Sequence, residues 1–173
     1  MERKALVSKS KTSSHTTGQN SLKKKVCITC KKSKTSKSYE VESNGSVRNE
    51  CRTCRLSGER KRIGRTPYTY INNLYSHLSY RRAKTHKFTI TREDLHAIYD
   101  KQGGNCAYSG LPMTYIKDGS GNHLTNISID RINNNEGYIQ DNVCLVCLAV
   151  NMMKYTMDLD ELIDWCKLIS KNN

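Results

Sequence analysis

The chain has 173 residues, of which 26% are charged and 36% hydrophobic, with 8 Cys and a formal net charge of +13. That length allows one domain of ordinary size plus an appendage and excludes a large two-domain enzyme. Residues 1–65 hold 18 of the 29 Lys and Arg but only 5 of the 16 Asp and Glu, so the whole excess of positive charge lies there.

Residues 1–25 are polar and basic with no apolar periodicity, which predicts a disordered tail, because such a segment cannot bury enough surface to offset its ordering. Residues 26–56 hold two Cys-x-x-Cys pairs around a polar, hairpin-like stretch and are expected to form a metal-binding module. Residues 57–66, SGERKRIGRT, read as a basic linker. From Pro67 a helix is expected, with Ile71, Leu74, Tyr75 and Leu78 on one stripe, ending in the basic cluster YRRAKTHK. A second helix starts at Thr91, which with Asp94 is spaced like a capping box, and stops at Gly103-Gly104. Residues 105–125 are loop-rich, 126–132 and 143–146 read as strands, and 147–156 as a helix. A hairpin core of Ile127, Ile129, Val143 and Leu145 is expected, with Met152 and Met153 packing the helix against it. A last helix begins at Asp158, with Glu161 three positions on, and is expected to bury Leu159, Leu162, Ile163, Cys166 and Ile169.

A basic block favours a polyanion, because each phosphate neutralised by Lys or Arg releases condensed counterions. Double-stranded DNA is the first partner expected, although for residues 1–25 alone a solubilising tail explains the charge equally well. The block lacks the apolar face an interfacial helix needs, and no apolar run approaches a bilayer span, so no membrane partner is expected. The expectation is an intracellular protein, in the cytoplasm or nucleus of a host, and not a secreted one. In a reducing compartment eight cysteines point to metal rather than disulfides.

Cys27, Cys30, Cys51 and Cys54 form C-x2-C, twenty intervening residues, then C-x2-C. Two residues between paired cysteines let a tight knuckle aim both sulfurs at one ion, and two knuckles complete the tetrahedral shell zinc accepts. With every position filled by protein the Zn²⁺ should be structural. Lys31, Lys32, Lys34, Lys37, Arg48, Arg52 and Arg55 around it would make a rigid basic platform for a phosphate backbone.

CAYSG, SIDRI, GYIQDNVCLVC and VNMMK, within residues 105–155, together resemble the HNH, or ββα-metal, endonucleases. More loosely, from Val26 onward, the chain resembles the PacI-like branch of that family, in which a four-cysteine zinc knuckle precedes the core. The resemblance implies an α+β chain: a small ββα-metal core within a helical region 67–173, behind the zinc module. It implies a metal-dependent DNA endonuclease, restriction-like, homing-like or acting in viral DNA processing, that leaves 5′ phosphate and 3′ hydroxyl. Asp130 and Asn151 would bind one catalytic Mg²⁺ or Mn²⁺, and Asn142 would pin the loop between the strands. Such hard cations prefer oxygen ligands, and few protein ligands leave room for waters and a phosphate oxygen.

Arg131 departs from the family, where most members carry a histidine general base, since an arginine stays protonated and cannot serve. Arg131 would clamp the phosphate instead. Tyr108, in the segment where the PacI-like branch uses a tyrosine, and His123 are the substitutes, with Tyr108 preferred. His86 lies near where that branch supplies a third ligand to the catalytic ion. Half the ligands of a second zinc site are missing, since the matching positions read Cys106-x-x-Ser109 and Cys147-x-x-Val150; Cys144 and Cys166 could rebuild a site with Cys106 and Cys147, but buried thiols are the preferred reading of these cysteines. A homodimer, or successive binding on two strands, would each permit double-strand breaks. The alternative is a non-catalytic zinc-knuckle protein that binds nucleic acid, DNA or RNA, with a degenerate core.

Overall fold

The protein is described by a computed structural model for residues 23–173 apart from Asn122, so the tail expected at residues 1–25 lies outside the described residues up to 22. The chain divides into two compact units between Arg52 and Thr53. The first contains two small antiparallel hairpins. One joins β1 (Lys24–Val26) to β2 (Ser33–Thr35), and the other joins β3 (Tyr39–Val41) to β4 (Val47–Cys51). Lys31 adopts φ 57 in the knuckle between β1 and β2, and its N–H donates to the Cys27 carbonyl at 2.9 Å. Gly45, at φ 81, supplies the left-handed residue of the second turn.

Helix α1 (Arg52–Ile63) follows β4 directly. The basic linker expected at 57–66 is therefore helical as far as Ile63. Its Arg, Lys, Glu and Leu are strong helix formers even without an apolar period, and the Gly64 N–H donating to the Arg60 carbonyl closes the end.

Helix α2 (Pro67–Arg82) starts where Thr66 caps it, in a reciprocal exchange with Thr69 and with Pro at the first turn. Tyr70 and Ile71 are buried, while Leu74, Tyr75 and Leu78 pack half-buried on the same core. Helix α3 (Arg92–Lys101) opens with the Thr91–Asp94 capping box, buries Leu95 and ends before Gly103 and Gly104, both at positive φ.

The centre of the second unit is β5 (Ile127–Arg131) paired antiparallel with β6 (Val143–Cys147), in the register Ile127↔Cys147 to Arg131↔Val143. All five residues of β6 are buried, whereas Ile129 of β5 is only partly covered. Helix α4 (Leu148–Lys154) continues from β6, and α5 (Leu159–Lys171), opened by the Asp158–Glu161 capping box, closes the chain. The architecture is α+β, with a ββα unit at its core.

Two expected packings differ. Met152 and Met153 are 60% and 53% exposed, and α4 instead turns Val150 and Lys154 inward. In α5 only Leu162 is buried, because α4 is the main element packed against it. Cys166, Ile163 and Ile169 are exposed.

The segment before α3 is clamped to the β5–β6 loop. Tyr138 donates its N–H to the Lys87 carbonyl at 2.8 Å and accepts from the N–H groups of Thr89 and Ile90. A Cβ on Gly137 would collide with the Lys87 carbonyl. Gly137→Ala is therefore expected to lower stability by about 1–3 kcal/mol, as overpacking does, measured by chemical denaturation. An unchanged midpoint would refute the clamp.

Candidate active site

The ββα unit brings together the acid, the arginine and both amides picked out in the sequence. Asp130, next to last in β5, is buried at 5% exposure, and its carboxylate has two donors. The Tyr108 hydroxyl donates to Oδ2 at 3.0 Å, and Lys154 Nζ lies 3.2 Å from the same oxygen and 3.5 Å from Oδ1. Lys154, the last residue of α4, is fully buried and also donates to the Arg131 carbonyl at 2.9 Å. Sequence reasoning did not single out Lys154, since lysine is almost never fully buried unless paired; the pairing exists only once α4 folds back on β5.

Asn151, one turn earlier in α4, donates from Nδ2 to Ser128 Oγ at 2.7 Å and to the Ile129 carbonyl at 3.2 Å. That orientation leaves its Oδ1 without a partner among the described residues. Asn142 is buried and holds the β5–β6 loop from both sides. Its Oδ1 accepts the Asn133 N–H at 2.8 Å, and its Nδ2 donates to the carbonyls of Asn133 and Gly137, each at 2.9 Å. Arg131 commits Nη1 to the carbonyls of Asn134 and Glu136 at 3.0 and 2.9 Å, with its guanidinium 5.3 Å from the Tyr138 ring centroid.

Asp130, Arg131 and Asn151 line one cleft of about 520 Å³, whose other wall is α2 with His77, Arg81 and Arg82. His77 Nε2 lies 3.3 Å from Asn73 Nδ2. Sequence reasoning missed His77. The available signal was its place one turn after Leu74 and one turn before Arg81, on the side of α2 adjoining the apolar stripe.

The other sequence candidates lie elsewhere or act differently. His86 pairs Nδ1 with Thr85 Oγ1 at 2.9 Å and meets the Tyr138 ring edge-on; it does not line the cleft. His123 Nε2 lies 3.1 Å from both Asp118 Oδ1 and Ser120 Oγ, in a loop outside the cleft. Burial, and then the neighbouring Cys144 thiol, raise the Tyr108 pKa, so its hydroxyl stays protonated and donates to Asp130. A phenol held that way is a poor general base.

The four thiols of Cys27, Cys30, Cys51 and Cys54 lie within 4.8 Å of one another. Four sulfurs at about 2.3 Å from a tetrahedral zinc would be about 3.8 Å apart, so the cage could hold that ion. The Cys51 N–H donates to Cys27 Sγ at 3.3 Å and Lys34 Nζ to Cys51 Sγ at 3.1 Å. The Cys51 and then the Cys30 backbone N–H bring the Cys27 thiol down to about 6, favouring the thiolate a metal requires. Cys106, Cys144 and Cys147 are buried and Cys166 is exposed; among the described residues they form no second cluster. Burial pushes the Cys144 thiol up to about 11.

No protein-family model matches the chain. It is 32% identical over 84 residues to the uncharacterized protein R423 of Acanthamoeba polyphaga mimivirus, a stretch covering 49% of this chain and 14% of that protein. The chain thus corresponds to a small part of that relative's length. Among solved structures it is similar to the rare-cutting HNH restriction endonuclease PacI, with a TM-score of 0.42 and 20% identity, over 86% of this chain and 94% of that one.

Proposed function

We propose that the chain is a metal-dependent DNA endonuclease of the HNH type, with a structural zinc in its N-terminal module and a ββα core that hydrolyses phosphodiester bonds. The observation carrying this reading is the shared cleft: one carboxylate, one amide with a free oxygen, a histidine and three arginines face a space that accommodates a sugar-phosphate segment. The donor set suits a hard cation. Tyr108 and Lys154 lie closest to Oδ2 of Asp130, so Oδ1, 3.5 Å from Lys154 Nζ, and the Asn151 amide oxygen are the ligands to offer. When bound, Mg²⁺ or Mn²⁺ would supply Lewis acidity at the phosphodiester and charge stabilisation for the leaving alkoxide.

The remaining work falls to side chains. Arg81, Arg82 and the uncommitted donors of Arg131 bind and orient the phosphate. Lys154 and Tyr108 fix the Asp130 rotamer, and Asn142 holds the loop that carries the carbonyl partners of Arg131. His77 takes the proton from the attacking water, the role Arg131 cannot fill. His77→Ala should lower nicking of supercoiled plasmid in Mg²⁺ or Mn²⁺ by about 10²–10⁴-fold. Nicking at the wild-type rate would remove His77 from the reaction.

Arg131 at the usual histidine position favours a second reading, a nucleic-acid-binding protein with an inactive core. Tight DNA binding with no cleavage in either metal would select it, and preference for structured RNA in the same assay would shift the substrate.

A further inference from the structure

Tyr155 stands where the chain leaves α4, and its backbone lies at φ 49 and ψ −106. Residues with a Cβ seldom adopt that conformation, and the turn after a helix ordinarily leaves such a position to glycine. The turn is nevertheless fixed from three sides. The Tyr155 N–H donates to the Asn151 carbonyl at 3.0 Å, the Met157 N–H to the Lys154 carbonyl at 2.8 Å, and Asn134 Nδ2 to the Met157 carbonyl at 3.1 Å. Packing does not explain a tyrosine at this point. The residue is 78% exposed, and among the described residues its hydroxyl has no hydrogen-bond partner and its ring no aromatic or cationic one. What the side chain does have is a place in the wall of the cleft, with Asp130, Arg131 and Asn151. Backbone strain that the surroundings over-determine in this way is characteristic of ligand clamps.

We propose that the Tyr155 ring is a stacking platform for one unpaired nucleobase of the strand whose phosphate the cleft holds. The proposal deepens the reading of the cleft as a nucleic-acid site and rests on it. The chemistry selects a nucleotide: the guanidinium groups of Arg81, Arg82 and Arg131 suit its phosphate, and the flat face of Tyr155 suits its base. Asn151, the amide assigned to the metal, precedes Tyr155 by one turn, about 5.4 Å along the axis. A base on the ring therefore belongs to the nucleotide bound at Asn151 or to its immediate neighbour.

A cleft of about 520 Å³ is of the size that encloses a drug-sized molecule, which leaves room for a nucleotide and not for a duplex. The base must therefore be out of the double helix, in a single strand or a locally opened one, before it can meet the ring. Because the turn is already pinned, the ring receives the base with little further loss of backbone freedom. Every base presents a π-face, so the platform selects the pairing state of the strand at the cut and not its sequence.

Binding measured without cleavage tests the platform separately from the nuclease assay. The full chain, loaded with zinc and given no Mg²⁺ or Mn²⁺, is titrated into a fluorescent oligothymidylate, an abasic strand of equal length and a blunt duplex, at about 200 mM salt, where phosphate contacts alone are weak. Tyr155→Gly should bind the oligothymidylate about 5–100-fold more weakly than wild type, the contribution of one stacked base, and Tyr155→Phe should bind it like wild type. The abasic strand and the duplex should not distinguish Tyr155→Gly from wild type. Glycine adopts this backbone without strain, so Tyr155→Gly should also melt no lower than wild type, which loss of a packing residue would not allow. A Tyr155→Gly chain that binds the oligothymidylate like wild type, that melts well below it, or that loses as much affinity for the abasic strand or the duplex would overturn the proposal. A chain that shows the Tyr155 effect yet cuts nothing in either metal would lose the nuclease reading and keep this subsite.

Discussion

Asp130→Ala should abolish plasmid cleavage and destabilise the second unit, and the two effects should separate. The carboxylate is 5% exposed and faces a fully buried Lys154 ammonium 3.2 Å away. Removing one partner of such a pair leaves an uncompensated buried charge, which typically costs about 3–5 kcal/mol. For a unit of this size that corresponds to roughly 10–20 °C in melting temperature. Replacing the pair together, as Asp130→Ala with Lys154→Met, removes the orphaned charge and should recover most of the loss, because an apolar substitute of similar volume is often neutral. Cleavage should not recover. A metal ligand at the phosphodiester contributes several kcal/mol of transition-state stabilisation, or about 10²–10³-fold in rate. If the double variant melts like wild type and cuts like wild type, Asp130 is a structural ion-pair partner and the nuclease reading fails. If it melts like wild type and does not cut, the loss in Asp130→Ala was chemical and not merely unfolding.

What the sequence made legible is local. The capping exchanges Thr91–Asp94 and Asp158–Glu161 are fixed by residues three apart, so α3 and α5 could be placed without tertiary information. The knuckle spacing of the cysteines and the alternation from strand to loop to strand in residues 127–147 were readable for the same reason. Helix α1 was not, since its residues have high helix propensity but no apolar stripe that would show as a helical period. The direction each side chain faces depends on contacts between distant segments. His77 became a candidate only because α2 and the ββα unit line the same cleft, and Lys154 only because α4 returns to β5. Likewise the position of Tyr108 was visible, but its protonated, donating state depends on Cys144 and Asp130, 36 and 22 residues away in sequence. The α5 stripe predicts burial without naming what buries it, and most of it is not buried within the chain.

Removing zinc should unfold the first unit while leaving the second folded. Among the described residues of the first unit, only Cys27, Cys51 and Tyr39 are buried. Its strands are three to five residues long and form separate two-stranded sheets. Isolated hairpins of that size are marginal in water at best, and so short a chain cannot build a sufficient core. Zinc binding, apparent at about 10–16 kcal/mol in zinc-finger peptides, is large enough to supply the missing term. Cys51→Ser would take away the sulfur that Lys34 Nζ approaches at 3.1 Å and that anchors the second knuckle. We expect this variant to release its zinc to a chromogenic chelator and to be cut by trypsin within residues 24–52, where lysines abound. The second unit, with its own apolar core on β5, β6, α2 and α3, should keep its melting transition. Because the basic residues of the module then lose their fixed arrangement, DNA affinity should fall at physiological salt, with a shallower dependence on salt concentration as fewer phosphates are engaged. Full protease protection of the chelator-treated chain, with unchanged salt dependence, would mean that the cysteine cage neither folds the module nor organises its charge.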